Sequence, residues 1–101
     1  MNGATHWIVP PDHPALAGHF PGVPILPGAV LLDVALQAIA DATGMELDVC
    51  DVSSAKFLSP ASPGDALTIR HVLLENGTIR FDIETDARKI ASGSVAPLSP
   101  A

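Results

Sequence analysis

The chain has 101 residues, which is enough for one domain, residues 1–101, with a modest core. Its net charge of −6, from 5 Lys and Arg against 11 Asp and Glu, argues against nucleic acid as a partner. Hydrophobic residues make up 48% of the chain, which is much apolar material for a small domain, so we expect an oligomer interface to bury the excess.

The sequence does not predict a membrane protein. Its longest apolar stretch, 29–42, is interrupted by Asp33, Gln37 and Asp41 and falls short of the roughly 20 residues that span a bilayer. The N-terminal MNGATHWIV lacks the basic and long apolar regions of a signal peptide, so we expect a cytoplasmic protein. Cys50 is the single cysteine, which excludes an internal disulfide and a cysteine-based metal site.

The N-terminal half predicts a strand, a loop and a helix. THWIV at 5–9 is rich in β-forming residues and predicts a first strand. Residues 12–27 contain four prolines and two glycines, so we interpret them as a packed functional loop. Residues 29–43, rich in Ala and Leu, predict a helix that Gly44 ends.

The C-terminal half predicts antiparallel strands. Asn76-Gly77 indicates a tight hairpin in which both central residues take positive φ. Around it, strands are predicted at 47–58, 66–75, 78–86 and 89–96, with a turn at 59–65. The expected fold class is α+β, with an antiparallel sheet of about five strands wrapped around one helix that is buried nearly all round.

Two polar features could carry chemistry on and beside the helix. Asp33, Gln37 and Asp41 are spaced by four and form one narrow polar stripe. Burial among apolar neighbours favours a protonated Asp33 that can donate a proton, whereas the helix dipole and partial exposure favour its carboxylate. Gln37 can hydrogen-bond Asp33 and fix its rotamer.

A histidine lies in the proline-rich loop. A free histidine side chain has a pKa of about 6.5, so a neutral imidazole at His19 is available as a base at physiological pH. From the residues alone, His6, His13 and His71 are equally eligible, and a structural histidine is the alternative. Gly28 alone reads as a turn residue, although free N–H groups at a helix start can bind an oxyanion.

The stretch HPALAGHFPGVPILPGAVLLDVALQ, residues 13–37, resembles the active-site segment of the FabZ/FabA-type β-hydroxyacyl-acyl carrier protein dehydratases, which have a hot-dog fold. The match consists of Gly18, His19, Phe20, Pro21, Pro24, Pro27, Gly28, Asp33 and Gln37. Lys56-Phe57 and Pro63-Gly64-Asp65 resemble a second family segment. The compact length is similar to that of small dehydratase-like proteins in aryl-polyene-type clusters.

The resemblance implies dehydration of a (3R)-hydroxyacyl thioester, carried on acyl carrier protein, to a trans-2-enoyl thioester. It assigns His19 as base and Asp33 as acid, which come from opposite chains of a dimer. It also implies that the Gly28 N–H binds the oxyanion and that Gln37 orients the acid. The substrate loop is then formed by Phe20, Pro21 and Pro27. No metal or redox cofactor is expected, because the chemistry is proton transfer and oxyanion stabilisation. The phosphopantetheine arm arrives with the substrate.

Two other functions remain open at this point. An acyl-thioester hydrolase shares the fold, and a non-catalytic acyl-binding subunit of a heteromeric dehydratase shares the sequence features. Because carrier proteins are acidic, Arg80, Arg88 and Lys89 are candidate docking residues, and surface ion pairing is the alternative for each.

Overall fold

The computed structural model describes residues 2–12, 25–47 and 50–97. The elements follow the predicted order, with some bounds shifted by a few residues. They are β1 (Asn2–Ile8), α1 (Gly28–Thr43), β2 (Cys50–Phe57), β3 (Ala66–Leu73), β4 (Ile79–Glu84) and β5 (Lys89–Pro97).

The five strands form one antiparallel sheet in the order β1-β3-β4-β5-β2, which confirms the α+β prediction. Strands β3, β4 and β5 follow each other as a meander, and the two earlier strands are added at its ends. Thr5 of β1 lies opposite Ile69, and Lys56 of β2 lies opposite Ser92. Both edges of the sheet therefore belong to strands whose partners are distant in sequence.

Strand alternation separates a core face from an outer face. In β4, Ile79, Phe81 and Ile83 are buried, whereas Arg80 is exposed and Asp82 is half-buried. This confirms the amphipathic pattern read from the sequence, because successive strand side chains point to opposite faces. The core face carries the apolar residues that pack under the helix.

The helix is buried on one stripe rather than nearly all round, so that prediction was wrong for the single chain. Leu31, Ala35 and Ile39 are buried at a spacing of four. Asp33 and Gln37 are exposed, because one sheet can cover only one side of a helix. At 16 residues, α1 is too short to cross a membrane, and no other helix among the described residues could do so.

The structure contains both features that the sequence predicts from glycine, the helix end at Gly44 and the hairpin at Gly77, but the hairpin turn differs from the predicted one. Gly44 ends α1 in the left-handed region with φ 74°, and its N–H donates to Ala40 O at 2.8 Å. In the hairpin, the Gly77 N–H donates to Leu74 O and the Leu74 N–H donates to Thr78 O. Asn76 and Gly77 are therefore the last two residues of a four-residue turn, not its central pair. Only Gly77 needs the positive φ of 86° for this longer loop.

Candidate active site

Part of the predicted site lies outside the described residues. His19, Phe20 and Pro21 belong to the segment 13–24, and so does the competing His13. The described part of the candidate site consists of the start of α1, the polar stripe of α1 and the strands beside them.

The start of α1 is an uncapped helix N-terminus. Pro27 is the N-cap with φ −59° and ψ 146°, and its carbonyl oxygen accepts the Leu31 N–H at 3.0 Å. Proline has no side-chain acceptor, and the first turn contains no acid. Among the described residues, the N–H groups of the first turn, from Gly28 onward, therefore have no capping side chain and keep their partial positive charge.

The ring of Phe57 lies over Gly28. A Cβ on Gly28 would be 3.0 Å from Cε1 and Cζ of this ring, closer than ordinary carbon contacts. Phe57 is 53% exposed, so half of the ring faces open space. Sequence reasoning missed this contact, and the signal was present, because Phe57 belongs to the second segment that resembles the dehydratases.

A mostly apolar cavity of about 350 Å³ opens at this helix N-terminus. Gly28, Leu31 and Phe57 line it, together with residues 25–26 and 58–61. The cavity places an apolar surface beside free backbone N–H groups. Such a combination can hold an acyl or thioester group and stabilise negative charge on its oxygen.

The polar stripe of α1 is exposed, and its hydrogen bond differs from the predicted one. The Gln37 Nε2 amide donates to Asp41 Oδ1 at 3.0 Å, not to Asp33. Both acids lie one helical turn from Gln37, so the spacing could not choose between them. In the single chain the Asp33 side chain is exposed.

Asp33 and Gln37 line two cavities, one on each side of the stripe. The larger, of about 560 Å³, extends toward Cys50 and Val52 of β2. The smaller, of about 340 Å³, extends toward Thr5 and Trp7 of β1. Asp33 therefore lies where a group approaching from either strand could reach it.

Gly28 and Asp33 are not brought together in one chain. The cavity at Gly28 contains no part of Asp33, and neither cavity at Asp33 contains Gly28. Five residues apart on a helix, their side-chain directions differ by about 140° around the axis. One chain thus presents two half-sites that face different directions.

The two histidines in the described ranges, His6 and His71, are not placed to act as the base assigned to His19. His71 is 3% exposed in the core, and its Nδ1 has no hydrogen-bond partner among the described residues. Gly3 gives this ring its space, since a Cβ there would lie 2.7 Å from Cε1 of His71. His6 borders the smaller cavity at Asp33, but its Nδ1 lies 3.3 Å from Thr68 Oγ1 on the outer face.

Cys50 fits a packing role rather than a nucleophilic one. Burial raises the pKa of its thiol, and the nearby Asp51 carboxylate raises that pKa further. A thiol with a raised pKa carries little thiolate at neutral pH. Within the described ranges, no three His, Cys, Asp or Glu side chains are grouped closely enough to hold a metal ion.

The three predicted docking residues have different environments. Arg88 Nη2 donates to Asp65 Oδ2 at 3.0 Å and to Pro60 O at 2.9 Å, so it stabilises the turn before β3. Lys89 Nζ donates to Asp82 Oδ1 at 3.2 Å. Arg80 is exposed and has no ion-pair partner in the described part of the chain. The alternative, a surface ion pair, thus applies to Arg88 and Lys89 but not to Arg80.

Comparison with protein families identifies the chain at this point. Residues 3–94 match the model of the ApeI-like family, described as ApeI dehydratase. The chain belongs to this family. The match confirms the resemblance read from the loop and helix, because it covers the sheet as well as that segment.

Among curated proteins, the chain is similar to the 3-hydroxyacyl-acyl-carrier-protein dehydratase FabZ of Chlamydia trachomatis, with 37% identity over 68 residues. The aligned region covers 58% of this chain and 44% of that protein. A FabZ of Jannaschia sp. is 35% identical over 75 residues, covering 65% of this chain and 46% of that protein. The chain therefore spans less than half the length of these curated relatives.

Solved structures show the same fold. The dehydratase heterocomplex ApeI:P from Xenorhabdus doucetiae matches with a TM-score of 0.76 and 21% identity, covering 94% of this chain and 85% of that one. The dehydratase domain of PpsC from Mycobacterium tuberculosis matches with a TM-score of 0.78 and 23% identity, covering 99% of this chain and 40% of that one. The fluoroacetyl-CoA thioesterase FlK matches with a TM-score of 0.64 and 15% identity, covering 94% of this chain and 83% of that one. These likenesses confirm the hot-dog fold.

Proposed function

We propose that this ApeI-like chain removes water from a (3R)-hydroxyacyl thioester to give a trans-2-enoyl thioester. The observation that carries the proposal is the uncapped N-terminus of α1 at Gly28, which opens on an apolar cavity under Phe57. This arrangement can bind a thioester and stabilise its oxygen as an enolate forms. It does so in a chain whose family is described as a dehydratase.

The proposed reaction needs only proton transfers. His19 takes the proton from the α-carbon, and the electron pair of that bond moves toward the thioester carbonyl, whose oxygen the N–H at Gly28 stabilises. The pair then forms the double bond as the carbon–oxygen bond at C3 breaks. Asp33 gives its proton to the departing hydroxyl, which leaves as water. Pro27, as the N-cap, and the loop residues Phe20 and Pro21 hold the substrate beside these groups.

The separation of the half-sites favours a dimer. Since Gly28 and Asp33 line different cavities of one chain, a complete site takes His19 and Gly28 from one subunit and Asp33 from the other. Covering Asp33 by a second subunit also removes water from its carboxyl, which favours the neutral acid that donates a proton. Gln37, bound to Asp41 in one chain, can turn to Asp33 when the interface closes.

The thioester carrier and the pathway belong to the same proposal. The FabZ relatives are named for acyl-carrier-protein substrates, so we propose a carrier-bound acyl group in fatty acid, polyketide or aryl polyene synthesis. The phosphopantetheine arm comes with the substrate, and no further cofactor is proposed for proton transfer. Whether the chain dehydrates a hydroxyacyl thioester and whether a carrier protein delivers that thioester are questions that separate assays can answer.

The test is an assay with a 3-hydroxyacyl thioester, followed by the absorbance of the conjugated enoyl product. His19→Ala and Asp33→Asn are each expected to lower kcat by about 10²–10⁴-fold, the range of general acid–base catalysis. His6→Ala is the matched control and should keep wild-type activity, since its ring faces Thr68. Unchanged turnover in the His19 variant would contradict the assignment of the base.

The same assay separates the two competing functions. FlK shows that a thioesterase can have this fold, and release of free thiol without enoyl product would identify a hydrolase. The ApeI:P structure is named as a heterocomplex, so a chain of this fold can also work beside a different partner. Pure protein that is inert until a second chain is added would identify a non-catalytic or half-catalytic subunit.

A further inference from the structure

The cavity between α1 and β1 has no part in the reaction proposed above. It has a volume of about 340 Å³, and Thr5 and Trp7 of β1 line one side of it. The other side is the polar stripe of α1, from Asp33 through Gln37 to Asp41. Asp33 and Asp41 are two turns apart, which corresponds to about 12 Å along the helix axis. We call this elongated space the β1-side cavity.

Each turnover of the proposed reaction leaves both catalytic groups in a protonation state that cannot start the next one. The proton from the α-carbon remains on His19 as an imidazolium. Asp33 becomes a carboxylate, because its proton leaves with the hydroxyl as water. The imidazolium must then release one proton to solvent, and the carboxylate must take one up. Asp33 therefore needs a path to solvent that stays open in the assembled enzyme.

The proposed dimer closes the other approach to Asp33. The cavity between α1 and β2 faces the edge at which β2 exposes Val52 and Phe57, so a second subunit seated there covers Asp33 from that side. β1 and β2 are the two opposite edges of the sheet. The β1-side cavity lies across the polar stripe from the interface and is the approach through which solvent still reaches the Asp33 carboxyl.

The lining of the β1-side cavity suits a short chain of water molecules. A cavity of this size has room for several waters, and Thr5, Gln37 and Asp41 supply a hydroxyl, an amide and a carboxylate as hydrogen-bond partners. Gln37 Nε2 donates to Asp41 Oδ1 at 3.0 Å, which links the middle of the stripe to its far end. Asp41 is exposed, so its carboxylate exchanges protons with solvent directly.

We propose that the β1-side cavity returns a proton to Asp33 after each turnover, and that the Asp41 carboxylate takes this proton from solvent. Water beside Thr5 then carries the proton to Asp33. The inference rests on the proposed function, since it assigns a proton path to that catalytic acid. Asp41 and Thr5 act through Asp33 and do not touch the substrate. His6 stands at the rim of the cavity and has no role in the path, because its ring faces Thr68 on the outer face.

The experiment measures dehydration by Asp41→Asn and Thr5→Val with the enoyl absorbance assay. Both changes keep the size of the side chain, and each removes one group of the path, the carboxylate or the hydroxyl. Because proton return follows release of the enoyl product, kcat and KM should fall together, about three- to tenfold, with kcat/KM unchanged. Rapid mixing should show a burst of product before the slower steady state. Asp41→Glu, which keeps a carboxylate, should retain the wild-type kcat.

Asp86→Asn is the matched control. Asp86 is an exposed aspartate between β4 and β5 and lines neither cavity at Asp33, so kcat should not change. Equal losses of kcat in the Asp41 and Asp86 variants would show an effect of net charge and overturn the proton path. Unchanged kcat in either path variant, or a loss of kcat/KM as large as that of kcat, would also overturn it while dehydration by the wild type stands. A wild type that forms no enoyl product would overturn the proposed function and the proton path with it.

Discussion

At the scale of single residues, Gly28 and Phe57 form the contact that shapes the proposed oxyanion site. The Phe57 ring fills the space that any side chain at position 28 would need. It is half-exposed, so it can move aside at small cost. The contact explains why glycine is the first residue of α1, directly after the N-cap Pro27. The helix itself does not require glycine at that position.

Replacing Gly28 by Ala is expected to lower kcat/KM at least about tenfold while leaving the free energy of unfolding within about 1 kcal/mol of wild type. The added methyl pushes the ring over the first-turn N–H groups, but the ring can shift and alanine favours the helix. Enzyme kinetics and denaturant unfolding measure the two effects.

The matched variant is Phe57→Ala. If the ring mediates the damage, Gly28→Ala should cost much less activity in the Phe57→Ala background, which a double-mutant cycle measures. Additive losses would instead show that the methyl itself blocks the N–H groups.

At the scale of elements, the turn at residues 59–65 positions the start of α1. The Leu26 N–H donates to Ala61 O at 2.8 Å, two residues before the helix begins. Asp65 Oδ2 accepts the Ser62 N–H at 2.9 Å, and Arg88 links this carboxylate to Pro60 O. Arg88, which directly precedes the last strand, thus supports the turn to which the helix N-terminus is hydrogen-bonded.

Arg88→Ala is expected to lower the free energy of unfolding by about 0.5–1 kcal/mol, because it removes one exposed ion pair and one hydrogen bond to a carbonyl. It should also raise KM, since the turn that holds Leu26 loosens. Denaturant unfolding and steady-state kinetics are the measurements. Arg80→Ala, which breaks no pair, should leave stability within about 0.5 kcal/mol. Equal losses in both variants would contradict the structural role of Arg88.

At the scale of the whole molecule, β2 is the most exposed of the five described strands. Val52, Phe57 and Leu58 are 45%, 53% and 55% exposed at this edge of the sheet. The cavity between β2 and α1 is lined by Asp33. An edge strand with exposed apolar side chains is a surface that proteins usually pair or cover. A second subunit here would bury the apolar excess noted in the composition and complete both half-sites.

Co-expressing His19→Ala with Asp33→Asn is expected to restore about a quarter of wild-type activity. Random pairing makes half of the dimers mixed, and each mixed dimer keeps one intact site of two. The enoyl absorbance assay on the purified mixture gives the measurement.

Co-expression of His19→Ala with Gly28→Val is the control for this experiment. Because the proposal places His19 and Gly28 in the same half-site, these two variants should not restore activity. Recovery in the control, or none in the first mixture, would show that the half-sites are not divided as proposed.

The sequence by itself determined the family and the order of the elements, and it predicted the residues of the candidate site. These depend on local patterns: the proline-rich loop before an apolar helix, strict alternation in β4, and glycines at the chain reversals. Two contacts were visible only in the tertiary structure. They are the contact of Phe57 with Gly28 and the hydrogen bond from Gln37 to Asp41 rather than to Asp33. The division of Gly28 and Asp33 between cavities, and the second cavity at Asp33 between α1 and β1, were also visible only there. The physical reason is that these relations join strands distant in sequence, or depend on which side of a helix one small sheet covers.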